Sequence, residues 1–328
     1  MPAVPHADQD GPSGRGPSQH LLVPAVPILR RPRRAQLVDR ARGAVLGLAV
    51  GDALGAALEW LAPEQITARF GGPLRDMVAS PAWQMGEWTD DTAMMLELGE
   101  SLADRGGWDE DDVLARYIVW ARSGPKDIGT TVQRALARAR TPDDARLAAS
   151  GWHEESGGRS AGNGSLMRTL PIAIRYRNDT GAIERISRLD SSLTHHDPLA
   201  GEACAFFNLT VSALLRGKRQ PTSVSLPGRA AAGALAEPAE SLLEPVQREI
   251  GFVLTTIRVA YAAAFRHESF EDAVVFAANL GGDADTNAAV AGALAGARFG
   301  AESIPQRWLE PLHQRERISG LAMRLLRA

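Results

Sequence analysis

Two short runs, Thr89-Asp90-Asp91-Thr92 and Gly281-Gly282-Asp283-Ala284-Asp285-Thr286, combine carboxylates with hydroxyls and have no basic neighbour. If the fold brings them together, Asp90, Asp91, Asp283 and Asp285 repel one another unless a cation lies between them. Oxygen donors without His or Cys suit hard divalent ions, Mg²⁺ or Mn²⁺ rather than zinc. The chemistry expected is that of a two-metal hydrolase, whose ions sit about 3.5–4 Å apart. Each run also has a local explanation. Thr89 and the acids after it make an ordinary helix N-terminus, where a hydroxyl and carboxylates answer free N–H groups. The second run begins like a calcium loop, but Ala288 and Leu294 stand where that loop needs glycine and glutamate.

Other polar positions are weaker signals. Gly162-Asn163-Gly164-Ser165 precedes an expected helix over 166–174, and glycines there can offer N–H groups to an anion such as a pyrophosphate; the Walker ending is missing. His195 and His196 are adjacent, so they do not converge on one ion as an i, i+4 pair does. Asp127 sits at a proline-marked turn before an expected helix over 130–140. Cys204, the single cysteine, lies in an apolar stretch, excludes an internal disulfide framework and fits a reducing cytoplasm.

The elements that hold these residues are read as helices. Apolar residues recur at helical spacing (Met94, Met95, Leu98, Leu102; Val113, Tyr117, Trp120; Leu254, Ile257, Tyr261), while alternating β-branched runs are nearly absent. Gly43, Gly47, Gly51 and Gly55 repeat every four residues, as do Gly292, Gly296 and Gly300. On a helix each set makes a ridge where another backbone can approach closely. The segments 43–62 and 288–299 are therefore expected to be buried core helices that bring the acidic runs together. Asp52 within the first argues against a membrane span. Stretches 71–88, 150–165 and the proline-rich 216–248 read as irregular.

The chain has 328 residues, 45% of them hydrophobic, enough for a large core, and a net charge of −3, which argues against non-specific nucleic-acid binding. Residues 1–36 lack a continuous apolar run and read as a disordered arm, leaving 37–328 as the folded domain. Membrane and nucleic-acid partners are not expected.

The segments Gly51-Asp52-Ala53-Leu54-Gly55 with Glu59, Thr89-Asp90-Asp91-Thr92 with Met94, Pro125-Lys126-Asp127-Ile128-Gly129, Ala161-Gly162-Asn163-Gly164 with Met167-Arg168, Thr194-His195, and Gly281-Gly282-Asp283-Ala284-Asp285-Thr286 occur in this order. Together they resemble the ADP-ribosylglycohydrolases, and most closely the dinitrogenase reductase-activating glycohydrolases of bacteria. The resemblance runs from about Arg40 to Trp308. It implies an all-α, orthogonally packed multi-helix bundle with a cleft for two Mg²⁺ or Mn²⁺ ions.

By position, Thr89, Asp90 and Asp91 match one ligand group and Asp283, Asp285 and Thr286 the other. Glu59 matches a mobile acidic residue near the metals, and Asp127 an acid at the ribose being cleaved; Asp127, Glu59 and Asp91 are the catalytic candidates. Gly162, Asn163, Gly164 and His195 match parts of the ADP-ribose cradle. The implied activity removes ADP-ribose from an ADP-ribosylated protein or a small conjugate, with arginine as the first acceptor to test. Serine- and acetyl-linked ADP-ribose remain alternatives, as does a non-catalytic binding or crystallin-like relative. A generic two-metal phosphohydrolase would usually bring His ligands, and these runs have none.

Overall fold

The computed structural model describes residues 34–218 and 225–328. Among these residues the regular elements are helices: α1 (Arg34–Gly55), α2 (Pro63–Phe70), α3 (Asp90–Asp104), α4 (Glu110–Arg122), α5 (Thr130–Leu136), α6 (Pro142–Glu155), α7 (Leu170–Arg175) and α8 (Thr180–Ser192). They continue with α9 (Pro198–Leu215), α10 (Leu226–Ala236), α11 (Leu243–Arg248), α12 (Val253–Arg266), α13 (Phe270–Asn279), α14 (Ala284–Phe299), α15 (Gln306–Leu309) and α16 (Arg315–Arg327). The all-α fold expected from the periodicity is the one that forms.

Helices α1 and α14 make the most extensive helix pair and the centre of the core. Every residue from Gly43 to Gly55 in α1, and from Ala284 to Ala297 in α14, is buried. Between Gly43 and Gly55, and between Ala288 and Ala297, both helices are apolar on every side apart from Asp52, as a central helix must be. Their glycine ridges meet. A β-carbon added at Gly43, Gly47, Gly51 or Gly55 would overlap the backbone at Gly296, Gly292, Ala288 or Ala284 respectively. The missing side chains let the two backbones touch and carry the N-terminus of α14 to the C-terminal end of α1.

Several boundaries differ from expectation. The first core helix ends at Gly55, not Ala62; a turn follows, and Pro63 starts α2. Helix α14 begins four residues earlier than expected, because Gly281 and Gly282 both adopt positive φ (68° and 64°) and turn the chain straight into it. Helix α5 stops at Leu136, and α7 starts only at Leu170, after a turn. Residues 150–155, expected irregular, complete α6.

The stretch 216–248 also corrects the irregular reading, since it contains α10 and α11. Two of its prolines lie in first turns rather than break helices: Pro245 in α11, and Pro227 in α10, with Ser225 accepting the Gly228 N–H at 3.3 Å. Residues 219–224 within it lie outside the described residues, as do residues 1–33 of the expected arm; Arg34, Ala35 and Gln36 belong to α1. Helix α9 is long and apolar enough to cross a bilayer by composition, yet 78% of that stretch is buried inside the protein.

Candidate active site

The floor of the site is built where α3 and α14 begin. Thr89 caps α3, accepting the Asp91 N–H at 3.4 Å. Asp52, buried in α1, accepts the backbone N–H of Thr89 at 2.9 Å and of Thr92 at 3.0 Å, and the Thr92 hydroxyl at 2.5 Å. This carboxylate ties the start of α3 to the central helix pair. Across from it, Thr286 donates its hydroxyl to Asp91 Oδ1 at 3.1 Å. The two acidic runs therefore meet, as the packing of the two glycine-ridged helices led one to expect. Capping and convergence both hold: Thr89 closes a helix end while its acidic neighbours face the second run.

Glu59 and Asp127 close the site from two loops. Glu59 lies on the turn after α1, and Trp60 beside it has φ 66° and is 67% exposed. That left-handed backbone is held by paired bonds: Trp60 N–H to the Gly282 carbonyl at 2.7 Å and Gly282 N–H to the Leu61 carbonyl at 2.9 Å. Side-chain oxygens of Glu59, Asp127 and Asp285 all lie within 4.8 Å of one another, an arrangement able to hold a metal ion. Asp90 Oδ2 accepts the Gly129 N–H at 3.1 Å, which brings the Asp127 loop onto the first run.

The glycine loop forms one wall. Asn163 N–H donates to the Gly251 carbonyl at 2.9 Å, and Val253 N–H to the Ala161 carbonyl at 3.1 Å. The Asn163 amide is thus committed and is not free for an anion. Its side chain also turns inward, with Nδ2 donating to Asp283 Oδ2 at 2.6 Å and to Thr256 Oγ1 at 2.9 Å. Asn163 thus positions a carboxylate, while Gly162, Asn163 and Gly164 all line the cleft. His195 packs on the other side of the loop, its ring so near that a β-carbon at Gly164 would lie 2.9 Å from Cε1. His196 faces His153 instead, ring centres 5.8 Å apart.

Glu59, Asp90, Asp127, Asp283, Asp285 and Thr286 line a cleft of about 870 Å³ with the glycine loop and His195, while Thr89 and Asp91 lie behind its surface. The size is that of a small-molecule site. Burial, followed by the Asp127 charge, pushes Glu59 up to about 8 and Asp90 up to about 7. Burial alone moves Asp52 up to about 6, its bonds from Thr89 and Thr92 opposing the rise. Asp91 and Asp285 are driven well above the carboxylate range by burial and neighbouring acids, and Asp283 is raised by burial. Burial also raises Asp127. Asp91 Oδ2 is buried without a hydrogen-bond partner among the described residues. An orphaned carboxylate oxygen among facing acids fits a hard cation.

The sequence profile of the ADP-ribosylglycohydrolases matches residues 33–328. The chain belongs to that family. ADP-ribosylarginine hydrolase Tri1 of Serratia proteamaculans is 33% identical over 89% of this chain and 80% of its own length. ADP-ribosyl-[dinitrogen reductase] glycohydrolase of Rhodospirillum rubrum is also 33% identical, over 84% of this chain and 90% of its own. A solved structure titled "ADP-ribosylglycohydrolase-related protein complex" superposes with TM-score 0.70 at 35% identity, covering 89% of this chain and 99% of that one. The protein is accordingly an enzyme of the glycosidase class.

Two features of this ADP-ribosylglycohydrolase escaped sequence reasoning. Asp52 carried a visible signal, a lone carboxylate in an apolar glycine-ridged helix, but its two N–H partners lie 37 and 40 residues away. Trp60 gave no signal, because its exposure and left-handed backbone depend on Gly282. Cys204 is buried and its thiol is pushed up to about 12, consistent with a packed small residue rather than a nucleophile.

Proposed function

We propose that this cleft hydrolyses the bond at C1 of the distal ribose in ADP-ribosyl-arginine on a modified protein, with two Mg²⁺ or Mn²⁺ ions as cofactors. The observation that carries the reading is the meeting of Glu59, Asp127 and Asp285 oxygens within 4.8 Å in the lining of the cleft. The arginine acceptor is favoured by the two relatives at 33% identity, named for ADP-ribosylarginine and ADP-ribosyl-[dinitrogen reductase]. It also suits a cleft whose lining carries many carboxylates and one arginine, Arg159.

Thr89, Asp90 and Asp91 would hold the cations from one side, Asp283, Asp285 and Thr286 from the other, with Glu59 at the edge. When bound, the ions supply Lewis-acid polarisation and orientation of the ribose hydroxyls. Asp52 keeps Thr89 and the start of α3 in place, and Asn163 does the same for Asp283. Leaving-group departure needs a proton on the guanidino nitrogen, and a carboxyl with a raised pKa can carry it. Among the raised carboxyls that line the cleft, Glu59 and Asp127 come from the loops that close it and are the candidates for that proton, while Asp90, Asp283 and Asp285 would face the cations. Trp60 walls off the mouth beside Glu59.

The test is a panel of arginine-, serine- and acetyl-linked ADP-ribose incubated with the protein and Mn²⁺, with released ADP-ribose measured. Release from the arginine conjugate alone supports the reading. Preferential release from a serine or acetyl conjugate reassigns the acceptor, and no release from any of them overturns the hydrolase reading.

A further inference from the structure

Behind the glycine loop runs a buried polar chain that makes no direct contact with the acidic floor. Arg168 and Asp190 have fully buried side chains, and Arg168 Nε donates to Asp190 Oδ2 at 3.2 Å. Arg168 Nη2 donates to the Asp190 carbonyl at 2.7 Å, and Tyr117 donates its hydroxyl to Asp190 Oδ1 at 2.9 Å. The guanidinium carbon also sits 4.6 Å from the centre of the Tyr117 ring. Such a pair gives up hydration that its attraction at best roughly offsets, so its use lies in what it holds.

What it holds is the wall of the cleft. Arg168 Nη1 donates to Thr194 Oγ1 at 2.7 Å and, at 3.4 Å, to the Gly164 carbonyl. Thr194 Oγ1 is in turn 2.8 Å from His195 Nδ1. Arginine can only donate, so the threonine oxygen accepts from it and must place its one hydrogen elsewhere. Among the described residues His195 Nδ1 is the acceptor within reach. Burial and the Arg168 charge push the His195 pKa down to about 3, so the ring is neutral and carries one proton. With Nδ1 accepting, that proton is on Nε2. The Nε2 edge borders Gly162 and Gly164, where the ring lines the cleft.

We propose that the Asp190–Arg168–Thr194 chain locks His195 in its Nε2–H tautomer, so that it offers a fixed hydrogen-bond donor to an oxygen of the bound ADP-ribosyl group. Arg168 and Thr194 are positioning residues, and His195 is the group that meets the ligand. The proposal rests on the ADP-ribosyl reading of the cleft. It explains why both flanking glycines are bare: a side chain at Gly164 would displace the ring that this chain aligns.

The tautomer is measured without ligand, from the ring ¹⁵N shifts of the full chain at neutral pH, with His195→Gln to assign the signals. An unprotonated Nδ1 and a protonated Nε2 are expected. A protonated Nδ1, or a ring protonated at both nitrogens, overturns the proposal. Calorimetry with ADP-ribose is the second arm. Thr194→Val is expected to bind about tenfold more weakly, the scale of one hydrogen bond, and Thr194→Ser to restore binding. Undiminished binding by Thr194→Val, or a failure of Thr194→Ser to restore it, also overturns the proposal. Failure of the ADP-ribosyl reading looks different: the unaltered protein binds no ADP-ribose. That result removes the ligand role of His195, while the shifts still decide the tautomer.

Discussion

Thr286 reaches Asp91 across 195 residues of chain, its hydroxyl 3.1 Å from Oδ1, while Asp91 Oδ2 is left buried and unpaired. The contact joins two helix N-termini, and Asp52, Asp90 and Asp283 are the charges that bear on this carboxyl. Asp91→Asn removes the charge and keeps the shape. It is expected to lower Mn²⁺-dependent turnover more than a hundredfold, the scale set by losing electrostatic stabilisation at the reacting centre. The chelated variant should melt no lower than the unaltered protein, because a buried carboxyl that must either take up a proton or repel its neighbours has gone. Full turnover in Asp91→Asn would remove the acidic floor from the mechanism.

The raised carboxyl values set the pH behaviour of the metal-free protein. Asp52, Asp90 and Glu59 stand at about 6, 7 and 8, against ordinary values of 3.8 for Asp and 4.5 for Glu. The folded state therefore holds protons that the unfolded state has lost. Stability from these groups is complete below about pH 4 and declines as pH rises through 6 to 8. In EDTA the melting temperature should fall between pH 5 and pH 8. Added Mg²⁺ or Mn²⁺ should raise it, and raise it more at pH 8. A flat profile with no response to the ions would contradict both the charge cluster and its occupant.

The glycine ridge sets the distance between α1 and α14. A β-carbon at Gly292 overlaps the Gly47 carbonyl, and one at Gly47 overlaps the Gly292 carbonyl. Backbone atoms of two buried helices cannot yield cheaply. Gly292→Ala and Gly47→Ala are each expected to cost about 3 kcal/mol or more in denaturant unfolding. The double variant should cost less than the sum, because one separation relieves both clashes. A loss under 1 kcal/mol in either single variant would mean that the helices part without penalty.

Asp52 would act on a bound cation through Thr89 and Thr92, whose N–H groups it holds. Asp52→Ala leaves two buried N–H groups without their acceptor, each worth about 1–3 kcal/mol. Calorimetric titration with Mn²⁺ is expected to show affinity reduced by about tenfold to a hundredfold, as for partners that orient ligands elsewhere. Unchanged affinity would make Asp52 a helix cap and nothing more.

Trp60 stands exposed at the mouth beside Glu59, and an aromatic face there suits a cationic acceptor. Trp60→Ala should raise KM severalfold for arginine-linked ADP-ribose and leave an acetyl-linked conjugate nearly unaffected. Equal effects on both would show that the ring only shields the cleft.

Much of this was legible because it was local. The helical spacing of Met94, Met95, Leu98 and Leu102 reported a buried helix face, and all four are buried. The four-residue glycine spacing reported a close approach, since bare positions along one helix face admit another backbone. Turn chemistry was less legible. Prolines 227 and 245 looked like breaks in the chain and proved to lie in the first turns of helices, where a proline's missing N–H costs no helical bond.

By itself the sequence determined an all-helical chain, two ridged core helices and two oxygen-rich acidic runs, because spacing and residue type suffice for those. Tertiary structure alone decided that Asp52 serves Thr89 and Thr92, that Asn163 turns to Asp283, and that Arg168 reaches both Asp190 and Thr194. The physical reason is that a polar side chain's role depends on its burial and on which partner it meets. Both follow from packing between segments far apart in the chain.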